Sequence, residues 1–326
     1  MGGAIISEPG YFLSGGRFLY GMLEALAFLT LSATILGFFG RFWYFFDLMA
    51  HFRWQYAVAL LAFALVAGLM RRWKSLGLAL IGAGINGALL LPWFLPPAAP
   101  AANPTEAFRV VSWNLLLHNR QAEAGIDELA RLQPDLMFLM EVNRKWRERL
   151  EARFGEDYLF TYEEREDNFG VALLSRLPGS EARIREFGPA NVPSIVVRAN
   201  WQGRPFEAVF THPLPPANRR QARQRNEQLE EVARWIQERK NETPLLVAGD
   251  FNATPWSWIY RDFVQKTGLS NAAIGYGCWP TWSAGIPGSE LMIDHLFVSG
   301  SWRVERLWIG PSSGSDHRPV VADLRW

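Results

Sequence analysis

Residues 314–324 read GSDHRPVVADL, so an adjacent aspartate and histidine precede an arginine, a proline and a short apolar run. An apolar run of this length, bounded by a glycine-containing turn, predicts a buried strand. Two titratable side chains at the start of a buried strand have two interpretations. They form either a capped turn or part of a functional site, and only the rest of the chain distinguishes the two.

Short apolar runs of the same kind recur from Phe108 to the end of the chain. They read FRVVSWN, DLMFLMEV, GVALLSR, SIVVRANW, FEAVFTH, PLLVAGDF and MIDHLFVS. Two segments with helical spacing lie among them, AGIDELARL and a long one from Asn218 to Lys240. Many strands with few helices between them predict an α/β fold built as a layered sandwich rather than as a single open parallel sheet.

Polar residues fall inside these predicted strands or at their ends. The set is Asn114, Glu141, His212, Asp250, Asn252, Asp294, Asp316 and His317. Taken singly, a carboxylate at a strand end is more often a turn or helix cap than a ligand, and a histidine before proline is more often a packed loop residue. Because so many strand ends carry such a residue, we predict that they converge on one pocket.

These side chains together suit metal-assisted attack on a phosphate. The carboxylates of Glu141 and Asp316 are oxygen ligands of the kind that Mg²⁺ takes. Neither a cysteine cluster nor an H-E-x-x-H pattern points to zinc. Asp250 is the candidate for orienting or deprotonating water, and Asp294 can keep His317 oriented and protonated. The side chains that can donate hydrogen bonds to charge developing on phosphorus are Asn114, Asn252 and His212.

Six short motifs follow one another within residues 108–326. They are SWN (112–114), MEV (140–142), TH (211–212), GDFN (249–252), IDHLFVS (293–299) and SDHRPVV (315–321). In this order they resemble the endonuclease/exonuclease/phosphatase superfamily, whose members are DNase I-like. The resemblance implies a four-layer sandwich of two β-sheets flanked by helices. It also implies attack of water on phosphorus that depends on Mg²⁺ (or Mn²⁺).

The same resemblance divides the polar residues into two groups. The metal side comprises Asn114, Glu141 and Asp316. The catalytic group comprises His212, Asp250, Asn252, Asp294 and His317. Many members carry an arginine two residues before the aspartate of the IDH motif, where this chain has Met292. This departure leaves the chemistry in place but can alter a structural or substrate contact.

The first hundred residues have a different composition. Three apolar runs, at about 18–39, 54–70 and 76–95, predict about three transmembrane helices, since one span needs roughly 17–25 mostly apolar residues. A buried helical hairpin is the alternative, which three such runs in close succession disfavour. Together with residues 280–299, the apolar third makes the chain resemble a membrane-anchored bacterial branch of the superfamily.

The predicted organisation is a membrane anchor at 1–97, a Pro/Ala-rich linker at 98–107 and a catalytic domain at 108–326. The loop RRWKS at 71–75 carries three basic residues, and none follows the third run until Arg109. By the positive-inside rule, this loop and the amino terminus are cytoplasmic. The chain is therefore predicted to be a multi-pass cell-membrane protein whose catalytic domain is extracytoplasmic, periplasmic or extracellular. No protein partner is inferable.

Charge limits the substrate classes. Of the 33 basic and 32 acidic residues, 27 and 29 lie in residues 105–326, so this segment has a formal charge of −2. It lacks the basic field that non-specific nucleic-acid binding needs. A local basic cluster is formed by Arg219, Arg220, Arg223 and Arg225, although such a run is more often a solvated helix face. The single cysteine, Cys278, excludes an intrachain disulfide.

Two activities stay open at this point. The first is hydrolysis of a phosphate ester or pyrophosphate on a lipid-linked or membrane-proximal substrate. The tether to the bilayer motivates it, as do tryptophans near the motifs that can meet the membrane interface (Trp256, Trp258, Trp279 and Trp282). The alternative is a membrane-bound endonuclease or exonuclease acting on extracytoplasmic DNA or RNA. A catalytically inactive binding module is disfavoured by the complete set of motif residues.

Overall fold

A computed structural model describes residues 10–96, 106–239 and 243–326 of the 326-residue chain. The amino-terminal part consists of helices α1 (Gly10–Leu36), α2 (Tyr44–Ala50), α3 (Arg53–Leu69) and α4 (Trp73–Leu90), with 3-10 turns at Gly37–Phe39 and Leu91–Trp93. The predicted linker lies outside the described residues except for its last two positions.

Two of these helical segments, Phe18–Phe39 and Trp73–Trp93, are long and apolar enough to cross a membrane. The second predicted run is different, because α2 and α3 meet at 63° and pass the same test only when they are counted together. The structure therefore supports two spans by length and composition, rather than about three. The bend has a physical cause, since α2 carries the buried Asp47 and packs against the catalytic part of the chain.

The amino-terminal helices leave much of their apolar surface uncovered. Leu60, Phe63, Ala67 and Ala83 pack in a small core between them. Large side chains on the outer faces, such as Leu65 at 66% exposure, are left mostly uncovered by the described residues. Helices that are apolar on their exposed faces suit a lipid environment, so these segments indicate membrane association.

The catalytic part alternates strands and helices. Its elements are β1 (Phe108–Asn114), α5 (Ala122–Leu132), β2 (Leu136–Met140), α6 (Arg144–Phe154), β3 (Leu159–Glu163), β4 (Val171–Ser175), β5 (Glu181–Glu186), β6 (Pro193–Trp201), β7 (Arg204–Thr211), α7 (Arg219–Gln237), β8 (Leu245–Asp250), α8 (Trp258–Thr267), β9 (Ser270–Asn271), β10 (Asp294–Val298), β11 (Arg303–Ile309) and β12 (Val320–Arg325).

The strands form two six-stranded sheets, in the orders β11-β12-β1-β2-β4-β3 and β5-β6-β7-β8-β10-β9. Helices α5 and α6 cover the outer face of the first sheet, while α7 and α8 pack on the second. This confirms the predicted α/β sandwich of two sheets flanked by helices.

Strand β1 shows why the central strands read as nearly continuous apolar runs. Successive side chains of a strand point to opposite faces. Phe108 and Val110 enter the core between the two sheets, whereas Val111 and Trp113 enter the core beneath α5 and α6. A strand covered on both sides is apolar at most positions. A polar residue in such a strand, such as Asn114, is therefore unusual enough to need a functional or structural reason.

Candidate active site

The second sheet delivers three of the predicted site residues to one edge. Antiparallel pairing of β8 with β10 sets Asp250 directly opposite Asp294. Strand β7 runs parallel to β8, so His212, the residue after β7, leaves the sheet at the same edge as Asp250. The register of neighbouring strands thus places two carboxylates and an imidazole within one small volume.

The first sheet delivers Asn114, Glu141, Asp316 and His317 to the facing edge. Parallel pairing of β1 with β2 places Asn114 beside Met140, and Glu141 follows immediately. Strand β12 runs antiparallel to β1, so the turn ahead of β12 enters beside Asn114. The Ser315 hydroxyl fixes this turn by donating to the Asn114 carbonyl oxygen at 2.8 Å.

A cavity of about 620 Å³ lies where the two edges face each other. Seven of the eight predicted residues line it: Asn114, Glu141, His212, Asp250, Asn252, Asp316 and His317. The eighth, Asp294, lies directly behind His317, with Asp294 Oδ2 2.8 Å from His317 Nδ1. The structure therefore brings all eight together, and their individual roles stay predictions.

The backbone at this edge is tightly constrained. Gly249 has φ +144°, and a Cβ there would lie 1.9 Å from the Thr211 carbonyl oxygen on β7, so only glycine fits. Glu141 and Asn252 adopt φ angles of 61° and 49°, in the left-handed region that non-glycine residues seldom occupy. Such conformations cluster at functional sites because surrounding contacts hold them in place.

His317 lies between two buried carboxylates. Its Nδ1 contacts Asp294, and its Nε2 lies 3.6 Å from Asp250 Oδ2. Burial by itself lowers the pKa of His317, but the charges of Asp294 and Asp250 outweigh burial and raise the pKa to about 10. The imidazole is therefore protonated at neutral pH, which makes it a hydrogen-bond donor for an anionic oxygen.

Asp250 is the most enclosed carboxylate that lines the cavity. Burial by itself raises its pKa, yet His317 and His212 together hold the pKa below its usual value. His212 Nε2 lies 3.5 Å from Asp250 Oδ2, and the Asn252 amide donates to Asp250 Oδ1 at 2.9 Å. Asp250 is thus ionised and fixed, as orienting an attacking water requires.

Glu141 has the environment expected of a metal ligand. It is 6% exposed, and its carboxylate accepts hydrogen bonds from Asn114 Nδ2 at 3.0 Å and from the Leu117 amide at 2.9 Å. Both donors are neutral, and among residues 10–96, 106–239 and 243–326 it forms no ion pair. A buried carboxylate without counter-charge is costly, so a divalent cation fits here.

A second grouping of metal-ligating atoms lies nearby. One ligand atom each from Asp250, Asp294 and His317 falls within 4.8 Å of the others, close enough to hold an ion. His317 Nδ1 already bonds to Asp294, however, so a cation there would compete with that hydrogen bond. Asp316 contributes an exposed carboxylate that accepts from Trp282 Nε1 at 3.1 Å.

Sequence reasoning missed part of the cavity wall. Leu48, His51 and Phe52, from the corner between α2 and α3, line the cavity together with the predicted residues. Nothing in the sequence marks them, because they read as a loop between two apolar runs. The corner is attached to the catalytic part: the Thr254 amide donates to His51 Nδ1 at 3.2 Å, and Arg225 Nη2 lies 2.7 Å from Asp47 Oδ2.

Two helix-flanked sheets, with carboxylates and histidines converging at shared strand ends, define a metal-dependent phosphoric-ester hydrolase. The chain belongs to the Endonuclease/Exonuclease/phosphatase family, whose sequence profile matches residues 111–317. A comparison with curated proteins gave no sequence match.

Solved structures share the fold. Zebrafish (D. rerio) TDP2 complexed with a single-strand DNA product is 18% identical, with a TM-score of 0.58 over 68% of this chain and 100% of that one. The human Nocturnin catalytic domain is 21% identical, with a TM-score of 0.54 over 67% and 94%. A 3′-5′ exonuclease from Neisseria meningitidis is 18% identical, with a TM-score of 0.55 over 67% and 100%. At these identities the likeness establishes the fold alone.

Proposed function

We propose that this protein is a membrane-anchored phosphoesterase that hydrolyses a phosphate ester or pyrophosphate of a lipid-linked or membrane-proximal substrate. Water attacks phosphorus, and the divalent metal is Mg²⁺ or Mn²⁺. The anchor crosses the membrane three times, with α3 as the middle span and α2 packed on the catalytic part, and the catalytic domain is extracytoplasmic.

One observation carries the proposal, namely that the membrane-associated helices form part of the active-site cavity. Leu48, His51 and Phe52 contribute side chains to the same cavity as Asp250 and His317. A tether that only kept the catalytic domain near the bilayer would not need to line the active-site cavity. A wall built from the anchor brings the reacting phosphate to the edge of the membrane, where the headgroup of a lipid lies.

The chain's own residues account for the remaining chemistry. Asp250 orients water toward phosphorus, and protonated His317, held by Asp294, donates to a phosphoryl oxygen as charge develops. His212 and Asn252, which line the same cavity, would donate hydrogen bonds to the phosphate. Glu141 and Asp316, with Asn114 behind Glu141, would hold the metal, which when bound neutralises a phosphoryl oxygen and orients the substrate.

Helix ends support the proposed topology. The catalytic part contacts the start of α3, through Gln55, and the 3-10 turn that follows α4, through Trp93. The RRWKS loop lies at the opposite ends of α3 and α4, one bilayer-crossing helix away. If that basic loop is cytoplasmic, the catalytic domain lies outside. A periplasmic phosphatase reporter fused after Trp326 is expected to be active, and activity of only a cytoplasmic reporter would reverse the topology.

The decisive experiment is a panel of phosphoesters with purified full-length protein in nanodiscs and Mg²⁺. The panel comprises a prenyl diphosphate, phospholipids, simple phosphomonoesters, and single- and double-stranded nucleic acid. We expect turnover of a lipid phosphate, lowered by about 10²-fold or more in Asp250→Asn. Asp262→Asn is the matched control, because Asp262 pairs with Lys266 on the surface of α8. Equal turnover in both variants would contradict the site.

A nuclease is the second candidate, because the basic cluster on α7 offers phosphate-binding side chains. The structure weakens this reading. Arg225 is 1% exposed and paired with Asp47, and Arg223 pairs with Glu227 at 2.7 Å. Only Arg219 and Arg220 of that cluster stay exposed and outside the described ion pairs. Preferred turnover of nucleic acid in the panel, with no lipid phosphate hydrolysed, would establish the nuclease instead.

A further inference from the structure

A second cavity, which we call the apolar groove, lies between the anchor and the catalytic part. It has a volume of about 710 Å³. One wall is the start of α3, with Trp54, Val58 and Ala59, and the other includes Trp256, Trp279 and Met292 of the catalytic part. This volume falls within the range of roughly 300–1,000 Å³ that small-molecule sites have.

The apolar groove meets the active-site cavity. His51 and Leu291 line both of them. The far wall is held in place, because Gln55 Nε2 donates to the Gly288 and Glu290 carbonyl oxygens at 3.1 and 2.9 Å. A ligand with its polar end at Asp250 can therefore extend its other end into the apolar groove.

The groove also continues toward the membrane along α3. Trp54, Val58, Leu61, Leu65 and Leu69 recur every three or four residues, which places them on one face of the helix. Each of them is at least half exposed. The stripe begins in the groove and ends at the far end of the helix, so one uninterrupted apolar track joins the active-site cavity to the hydrocarbon region of a bilayer.

We infer that the apolar groove binds the hydrocarbon chain of a membrane lipid whose phosphate is in the active site. This inference rests on the proposed function and names its substrate class, a phosphate ester or diphosphate that carries a hydrocarbon chain. The chain leaves the bilayer along the α3 stripe, enters the groove at Val58 and ends beside His51, where the phosphate begins. Lengthening the chain therefore strengthens binding while the reacting group is unchanged.

His51 marks the junction of headgroup and chain. Its Nδ1 accepts from the Thr254 amide, so in the neutral imidazole the hydrogen is on Nε2. Nε2 is buried and has no hydrogen-bond partner within the described parts of the chain. An unsatisfied buried donor is costly, and a phosphate oxygen at the junction would satisfy it.

The test compares two substrates that share a headgroup, farnesyl diphosphate and the much shorter dimethylallyl diphosphate. Ala59→Trp fills the groove from an exposed position of α3. It is expected to lower kcat/KM for the farnesyl compound about tenfold, through KM, because methylene contacts are lost. For the dimethylallyl compound kcat/KM should change less than about twofold. Ala88→Trp is the matched control, since Ala88 is exposed on α4 outside the groove.

A binding experiment keeps the inference testable without turnover. A benzophenone-labelled farnesyl diphosphate is photolysed with wild-type and Ala59→Trp protein in nanodiscs containing chelator, and the labelled peptides are mapped. Labelling of 54–59 or 279–292 that Ala59→Trp reduces supports the groove. Labelling confined to α1 and α4 overturns it. So does a ratio of kcat/KM for the farnesyl and dimethylallyl compounds that is the same in Ala59→Trp and Ala88→Trp. If the groove is labelled but no lipid phosphate is hydrolysed by any metal-loaded sample, the proposed function fails and the binding site stands.

Discussion

Arg225→Met tests whether a buried ion pair holds the amino-terminal helices on the catalytic part of the chain. The side chains of Arg225 and Asp47 are 1% and 2% exposed, and Nη2 lies 2.7 Å from Oδ2. The substitution leaves the Asp47 carboxylate buried without its counter-charge, a change that costs about 3–5 kcal/mol. Ser257 Oγ and the Trp258 amide still donate to Asp47, so we expect a loss near the lower end, about 3 kcal/mol.

The Trp258 amide reports this loss directly, because it donates to Asp47 Oδ1 at 2.9 Å. It is also the first helical residue of α8, whose end the carboxylate caps from a separate part of the chain. In hydrogen–deuterium exchange of the full chain in detergent micelles, Arg225→Met should lower the protection of this amide about a hundredfold.

Asp47→Asn and the double variant complete a cycle. Because the two residues contact each other, we expect the double variant to lose less protection than the two single losses combined, by about 2 kcal/mol. The two single variants are also expected to differ in activity, because only Arg225→Met removes a second contact. Arg225 Nη1 also donates to the Asn252 carbonyl oxygen at 2.8 Å, a contact that Asp47→Asn leaves intact. Fully additive losses, or a change of less than about threefold in the protection of Trp258 in Arg225→Met, would refute the reasoning.

Three further predictions concern the catalytic part. Gly249→Ala places a Cβ 1.9 Å from the Thr211 carbonyl oxygen. It should lower the free energy of unfolding by at least about 4 kcal/mol, measured by thermal unfolding. The control Gly300→Ala, where the Cβ meets open space, should change the free energy of unfolding by less than about 0.5 kcal/mol. Asp294→Asn removes the carboxylate that orients His317 and should lower kcat by about 10²–10⁴-fold without changing the circular dichroism spectrum; unchanged kcat would remove that pair from the mechanism. A chelator should abolish hydrolysis reversibly while shifting Tm by less than about 10 °C, because the core of the sandwich is apolar; unfolding on metal removal would show a structural ion instead.

Local patterns were sufficient to predict the layered fold. Strands such as β2 and β8 are buried on both faces and read as continuous apolar runs, and α7 was predicted within three residues at its carboxyl end. The boundary between span and surface helix was not predictable in the same way. Asp47 alone cannot indicate that α2 packs on the catalytic part of the chain, since its partner Arg225 lies 178 residues further along the chain.

The site shows the same division at the level of single residues. Asp294 and His295 are neighbours of similar polarity, and both are buried. Strand alternation sends Asp294 toward His317, while the His295 ring packs in the core between Asn271 and the Ala253 carbonyl oxygen. The motif order pointed to Asp294 as the partner of His317, and the register of β10 against β8 explains the choice physically.

By itself, the sequence determined that strands of two sheets end in polar side chains, that these can serve phosphate chemistry, and that apolar helices precede them. Those properties can be predicted from residues close together in the sequence, because burial and strand alternation produce patterns over a few residues. Only the tertiary structure decided that the α2–α3 corner closes the active-site cavity and that a groove leads from it along α3. These features depend on which distant surfaces pack together, as with Gln55 against Glu290, and no local pattern records a contact between elements more than two hundred residues apart.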